Sequence, residues 1–328
     1  MSALLSLRDV SVSFPVKGGL FKPARQLKAV QDVSFDLAAG ECLGVVGESG
    51  CGKSTLGRAI LRFVDLAAGS ITWKGQEIGA LSEAAMAGLR SDIQVIFQNP
   101  LASLNPRMTV GDIIAEPLEQ FRPEMTKAER QALARDWMEK VGLLPDMADR
   151  FPSAFSGGQA QRVAIARAMI AGPQVLICDE AVSALDVSVK AQIINLLRQL
   201  QRDTGVSLIF ISHDLAVVQQ ISDHVLVMYL GKAMEIGPCH GVFSAPQHPY
   251  TKALISAIPV PDPAIERSRK PIILGTELPS PLSPPSGCVF RTRCPIAKPN
   301  CIAQVPELKP AASSQCACHF SGADLPVT

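Results

Sequence analysis

Apolar and polar positions alternate from Leu5 to Phe14 and again from Val30 to Leu37, just before Gly40. A period of two puts every second side chain on one face, so both stretches are expected as half-buried strands of an antiparallel sheet. Cys42 to Val46 is instead an unbroken run of small and apolar residues, the pattern of a short buried strand, and Thr55 to Val64 is apolar at helical spacing. From Thr109 to Phe155 the character turns helical. Within this stretch Thr126 and Glu129 have the form of a capping box, and Leu133, Trp137 and Val141 fall on one helix face. Strand-type runs return at Val175–Cys178 and Leu208–Ile211, separated by the amphipathic stretch Val189–Leu200. Such alternation predicts an α/β fold with a parallel sheet. From about Gly237 the periodicity weakens while prolines and cysteines concentrate, which divides the chain into 1–236 and a separate unit, 237–328.

Composition narrows the classes. With 328 residues, 47% of them hydrophobic, the chain can build a real core, and disorder is a poor global reading. Its 31 basic and 30 acidic residues are spread throughout, so no basic stripe points to nucleic acid. Mean hydropathy is high at +0.21. Even so, the longest apolar runs, such as Val206–Ile211 and Val225–Leu230, are strand-sized, and no membrane span is expected. Met1–Val10 carries Arg8 and Asp9 and lacks a cleavage-like pattern, so a cytoplasmic compartment is expected.

The candidate chemistry lies in two glycine-rich strings. Gly47-Glu48-Ser49-Gly50-Cys51-Gly52-Lys53-Ser54 fits the full phosphate-loop pattern, and it stands between the expected strand and a helix opening at Thr55. Residues without Cβ let backbone N–H groups cradle phosphate oxygens, Lys53 is expected to reach the β- and γ-phosphates, and the Ser54 hydroxyl is expected to ligate Mg²⁺. The bland reading, a glycine-rich turn, does not require the strand, loop and helix to coincide. Ser156-Gly157-Gly158-Gln159 opens a second helix-like stretch, where free N–H groups and the helix dipole also favour an anion. Val175–Cys178 runs into Asp179 and Glu180, a carboxylate pair at a strand end. Taken alone such a pair is usually a solvated turn.

Two phosphate readers about a hundred residues apart in this order resemble the ATP-binding cassette (ABC) ATPases, and the resemblance spans roughly residues 4–237. It implies a RecA-like phosphate-loop core with an antiparallel β subdomain and a helical subdomain at about 99–170. It further implies that Asp179 holds Mg²⁺ and Glu180 polarises the attacking water. Gln98 would touch Mg²⁺ and the lytic water. Asp186, in Ser183-Ala184-Leu185-Asp186, would lie in a loop crossing to the opposing subunit, and His213 would contact the γ-phosphate. Phe14 would stack on adenine. Ser156, Gly157, Gly158 and Gln159 would close over ATP held by a second cassette. Ala160 and Ala181 depart from the residues common at their places, and neither removes a ligand.

Three further strings narrow the resemblance to the oligopeptide and dipeptide importer ATPases, F-type subunit. They are Phe14–Phe21, Gln98–Val110 (QNPLASLNPRMTV) and Gln247–Thr251 (QHPYT); a C-terminal cysteine pattern around Gly287–Pro295, Cys301 and Ala317–His319 joins them. The implied partners are a paralogous D-type cassette or a second copy, two transmembrane permeases and an extracytoplasmic substrate-binding protein, at the cytoplasmic face of the bacterial inner membrane. Peptides are the implied substrate, with glutathione or another small solute as the alternative. Soluble ABC ATPases acting on ribosomes or DNA are a rival, weakened by the single cassette and the lack of coiled-coil heptads. Five of nine cysteines crowd between Cys288 and Cys318. Cys288, Cys294, Cys301 and Cys318 offer four thiolates to a [4Fe-4S] cluster or to Zn²⁺, with Cys316 a substitute and His319 an outer group; reduced structural thiols are the bland alternative. Cys42, Cys51, Cys178 and Cys239 are scattered and read as small buried or loop residues.

Overall fold

The computed structural model describes residues 3–16, 25–259, 262–268, 272–275 and 277–325. The Lys17–Phe21 part of the first importer-like string lies outside them. Two compact units are present, one from segments 38–42 and 81–211, the other from segments within 2–37, 43–80 and 212–328.

In the first unit three strands run parallel: Ile93–Ile96 pairs with Val175–Asp179, which pairs with Ser207–Ile211. Val175–Cys178 and all of Ser207–Ile211 are buried. Parallel strands covered on both faces read as continuous apolar runs, which is why alternation is missing here. The helix Val187–Thr204 buries Ile193, Ile194, Leu196, Leu197 and Leu200 and ends at Gly205, whose φ of 73° is the left-handed conformation that glycine adopts without a Cβ penalty. Helix Lys127–Lys140 opens with the expected capping box, Thr126 and Glu129 each accepting the other's backbone N–H. Its buried face is Ala134, Trp137 and Met138, with Val141 at the C-cap; Leu133, expected on that face, is only half-buried. Helices Val110–Phe121 and Gly157–Met169 complete the helical block.

The second unit contains the antiparallel sheet expected from the alternating stretches. Leu5–Val16 lies between Arg25–Leu37 and Ala68–Trp73, with Gln76–Glu77 at the edge. Leu5, Leu7, Val10 and Val12 are fully buried, and register shifts around Asp9 keep the apolar side inward where strict alternation would break. Cys42–Val46 runs parallel to His224–Tyr229, which turns back into Lys232–Pro238.

The weakly periodic C-terminal region joins this second unit as sheet. Ser314–Cys316 pairs antiparallel with Lys232–Pro238, and Lys309–Ala311 pairs beside it. The fully buried Glu235 carboxylate fastens the junction. It accepts hydrogen bonds from the Gln247 N–H at 2.9 Å, the His248 N–H at 2.9 Å and the Ser314 hydroxyl at 2.8 Å. A buried carboxylate is tolerated when its lone pairs are filled in this way. Among the described residues no helix is long and apolar enough to cross a membrane.

Candidate functional site

Strand Cys42–Val46, a loop and helix Lys53–Ile60 follow one another in the second unit, the context that the phosphate-loop pattern demands. Two loop positions admit only glycine. Gly47 has φ 150°, and a Cβ there would lie 2.2 Å from the Met228 carbonyl oxygen. Gly52 has φ 107°, and a Cβ would lie 2.2 Å from the Ala29 carbonyl oxygen. Gly50, at φ 78°, is left-handed with open space around it. Lys53 is buried, and its ammonium donates to the Gly47 carbonyl at 2.8 Å and the Glu48 carbonyl at 3.0 Å, at the centre of the loop. Cys51 is buried beneath, and burial raises its thiol pKa, so it is neutral packing rather than a nucleophile. Ser49 is exposed, and Ser54 and Thr55 are half-buried at the start of the helix.

His213 belongs to the same unit and is exposed just beyond Ile211. It is bracketed by two backbone anchors: the Ser212 N–H donates to the Val45 carbonyl at 3.1 Å, and Asp214 caps helix Leu215–Ile221. Phe14 is half-buried in the antiparallel sheet, opposite Leu27.

In the first unit Asp179 ends its strand opposite Ile211, and Glu180 follows at φ 49°. A left-handed glutamate costs about 1–2 kcal/mol. It is held there by its N–H donating to the Ile211 carbonyl at 3.0 Å and by its own carbonyl accepting from the Ser183 hydroxyl at 3.0 Å. Gln98 Nε2 donates to Glu180 Oε2 at 2.7 Å. Two candidates far apart in sequence are thereby brought together. The Cys178 thiol behind them is fully buried, pushed up to about 12 by burial and by the charge of Asp179.

Ser156 is the N-cap of helix Gly157–Met169. Its hydroxyl accepts from the Gln159 N–H at 3.3 Å, and Gln159 Oε1 accepts from the Ser156 N–H at 3.0 Å. The string is therefore a capping box, and the pattern Ser-x-x-Gln carried that signal. Gln159 spends its amide oxygen on the cap, while exposed Ser156 keeps a hydroxyl proton to donate and Gly157 is exposed at the helix start. Gly158 is needed for packing, since a Cβ there would lie 2.5 Å from Val189 Cγ1. Asp186 is exposed at the head of helix Val187–Thr204.

The C-terminal cysteines carry a different result. Cys288, Cys301 and Cys316 are buried, while Cys294 and Cys318 are half-buried. Burial, then the charge that neighbouring sulfurs would carry, pushes Cys288 and Cys294 up to about 11. Burial likewise raises Cys318, with Cys301 adding to the effect. As placed, Cys288, Cys294, Cys301 and Cys318 do not fit a single metal ion, because among the described residues no three His, Cys, Asp or Glu side chains are grouped to hold one. His319 turns its Nε2 to the Gln304 carbonyl at 3.1 Å. Cys42, Cys51, Cys178 and Cys239 are all buried, as expected.

Comparison with known proteins agrees with this architecture. Residues 30–183 match the ABC transporter model, and residues 234–301 match the oligopeptide/dipeptide transporter C-terminal region. The chain is 55% identical over 309 residues to the oligopeptide transport ATP-binding protein OppF of Salmonella typhimurium, covering 93% of this chain and 92% of that one. It is 47% identical to the di/tripeptide transport ATP-binding protein DppF of Pseudomonas aeruginosa, covering 98% of each. A solved dimeric ATP-binding cassette in a post-hydrolysis state, bound to ADP and Pi, superposes with a TM-score of 0.64 at 26% identity, covering 72% of this chain and 98% of that one. The chain belongs to the ABC transporter ATP-binding proteins, in the branch that carries the oligopeptide/dipeptide transporter C-terminal region.

Proposed function

We propose that this protein is the ATP-hydrolysing motor of an importer for di- or oligopeptides, with ATP and Mg²⁺ as its cofactors. The observation that carries the reading is the union in one chain of a complete phosphate loop with the oligopeptide/dipeptide transporter C-terminal region. The division into an ATPase, 1–236, and an extension, 237–328, has support from the two family matches, 30–183 and 234–301, the second of which begins three residues before the boundary.

The loop 47–52 offers backbone N–H groups to the phosphates, and Lys53 exchanges two carbonyl partners for phosphate oxygens. Ser54, Gln98 and Asp179 would hold the Mg²⁺, which neutralises charge on the β- and γ-phosphates when bound. Glu180 accepts the proton of the attacking water; its bond from Gln98 supports this role by orienting the carboxylate. His213 would sense the γ-phosphate and Phe14 would stack on adenine. Ser156, Gly157, Gly158, Gln159 and Asp186 would serve the opposing cassette, a D-type paralogue or a second copy. Two transmembrane permeases and an extracytoplasmic substrate-binding protein complete the assembly, with this chain at the cytoplasmic face of the bacterial inner membrane. Glu180→Gln in the assembled transporter should keep ATP binding and lose at least about a hundredfold in steady-state hydrolysis. Near-normal turnover would remove Glu180 as the base.

For the C-terminal thiols we propose a [4Fe-4S] cluster in preference to Zn²⁺. The reading rests on the resemblance of the cysteine pattern to importer ATPases with an iron-sulfur tail, and the mutual charge effects among Cys288, Cys294, Cys301 and Cys318 support their nearness to one another. Iron and acid-labile sulfide in anaerobically purified protein test this; zinc alone, or neither metal, would end it.

A further inference from the structure

Two of the strings that marked the importer branch, Gln247–Thr251 and Gly287–Pro295, converge on the phosphate loop through Glu48. The Tyr250 hydroxyl accepts the Glu48 N–H at 2.9 Å, and Arg293 Nη1 donates to Glu48 Oε2 at 2.7 Å. Both partners are well shielded. Tyr250 is 0% exposed, and the Arg293 side chain is 9% exposed against 28% for Glu48.

Peptide geometry gives these contacts their meaning. In a trans peptide the C=O and N–H point in opposite directions. The Gly47–Glu48 peptide is gripped at both ends, its N–H by Tyr250 and its carbonyl by the Lys53 ammonium at 2.8 Å. Tyr250 thus sets the rotation of the peptide that seats the phosphate-binding lysine. Arg293 holds the side chain of the same residue, and its guanidinium also stands 5.8 Å over the Tyr229 ring. The anchors are rigid in their turn. Tyr229, Tyr250 and Phe290 form an edge-on cluster with centroids 4.9–5.3 Å apart. Arg293 is carried by a turn in which its N–H donates to the Phe290 carbonyl at 3.0 Å, while the Cys288 N–H donates to the Cys301 carbonyl at 2.8 Å.

We propose that Tyr250 and Arg293 are positioning residues of the nucleotide site, through which the C-terminal region presets the phosphate loop. The inference rests on the reading of residues 47–54 as that loop. Removing either contact loosens the peptide against which Lys53 is aimed, so the loss falls on nucleotide affinity rather than on the fold.

The test uses the full chain, a fluorescent ATP analogue and thermal melting without nucleotide. Tyr250→Phe deletes only the hydroxyl, and it and Arg293→Gln should each weaken analogue binding about tenfold, the worth of about one hydrogen bond, while melting hardly changes. Arg293→Lys should recover part of the loss, and the charge swap Glu48→Arg with Arg293→Glu should bind more tightly than either single change. Wild-type affinity in Tyr250→Phe and Arg293→Gln, or a loss that merely tracks lowered melting, would overturn the proposal. Lys53→Ala separates the two levels. If it too binds like wild type, the phosphate-loop reading itself fails; if it loses binding while the Tyr250 and Arg293 variants do not, only the positioning role fails.

Discussion

Stability should fall between pH 7 and pH 5 because of one histidine. His248 is 1% exposed at the N-cap of helix Pro249–Ser256, where its Nδ1 accepts the Tyr250 N–H at 3.0 Å. An accepting nitrogen must be unprotonated, and burial pushes the ring down to about 3. In the unfolded chain the same ring titrates near its ordinary value of about 6.5. Between these values the unfolded state holds a proton that the folded state refuses, so stability is full above about pH 6.5 and drops as pH falls. At pH 5 the unfolded ring lies about 1.5 units below its pKa, which at about 1.36 kcal/mol per unit amounts to about 2 kcal/mol lost relative to pH 7. The assay is urea unfolding at a series of pH values, comparing wild type with His248→Asn. Asparagine keeps the N-cap acceptor and does not titrate. Its smaller volume lowers stability by a constant amount, whereas the slope is what counts. Titrating groups remote from position 248 are common to both proteins and cancel in the difference. The wild-type curve should fall about 2 kcal/mol further between pH 7 and pH 5 than the variant curve. Parallel curves would refute the reasoning, since they would mean that the folded ring accepts its proton without penalty.

Glu235→Gln tests the junction of the C-terminal region. An amide can accept at only one of the two oxygen positions, so a buried N–H or hydroxyl must face an NH₂ group, and a loss of about 2–4 kcal/mol is expected in the same unfolding assay. An unchanged midpoint would show that the carboxylate is not what fastens the hairpin. Ser156→Arg should abolish hydrolysis when both cassettes of a dimer carry it, and a wild-type partner should restore activity at one of two sites. Full activity in the doubly altered dimer would end the trans assignment.

Much of the scaffold was legible because period and local chemistry are local properties. Alternation at Leu5–Phe14 reported a half-buried strand, the unbroken apolar run at Cys42–Val46 reported a strand covered on both faces, and Thr126 with Glu129 reported a helix start. The phosphate loop was legible for the same reason, since glycines at fixed offsets describe backbone geometry within a few residues. Ser156–Gln159 was legible but carried two meanings at once; the capping box lay under the phosphate-reading pattern, and both use the same unpaired N–H groups of a helix start. In the C-terminal region aperiodicity hid sheet formation, because Ser314–Cys316 is too short to show a period and takes its identity from the strand beside it.

What the sequence by itself determined was therefore the inventory: which of the periodic segments form strands and helices, and which residues could meet a phosphate, a metal ion or a proton. Only the tertiary structure decided the pairings. Gln98 meets Glu180 across 82 residues, and Glu48 meets Arg293 across 245. No periodicity encodes such contacts, because hydrogen bonds and ion pairs act over a few ångströms of space, and the chain's path through the packed core decides which distant residues share it.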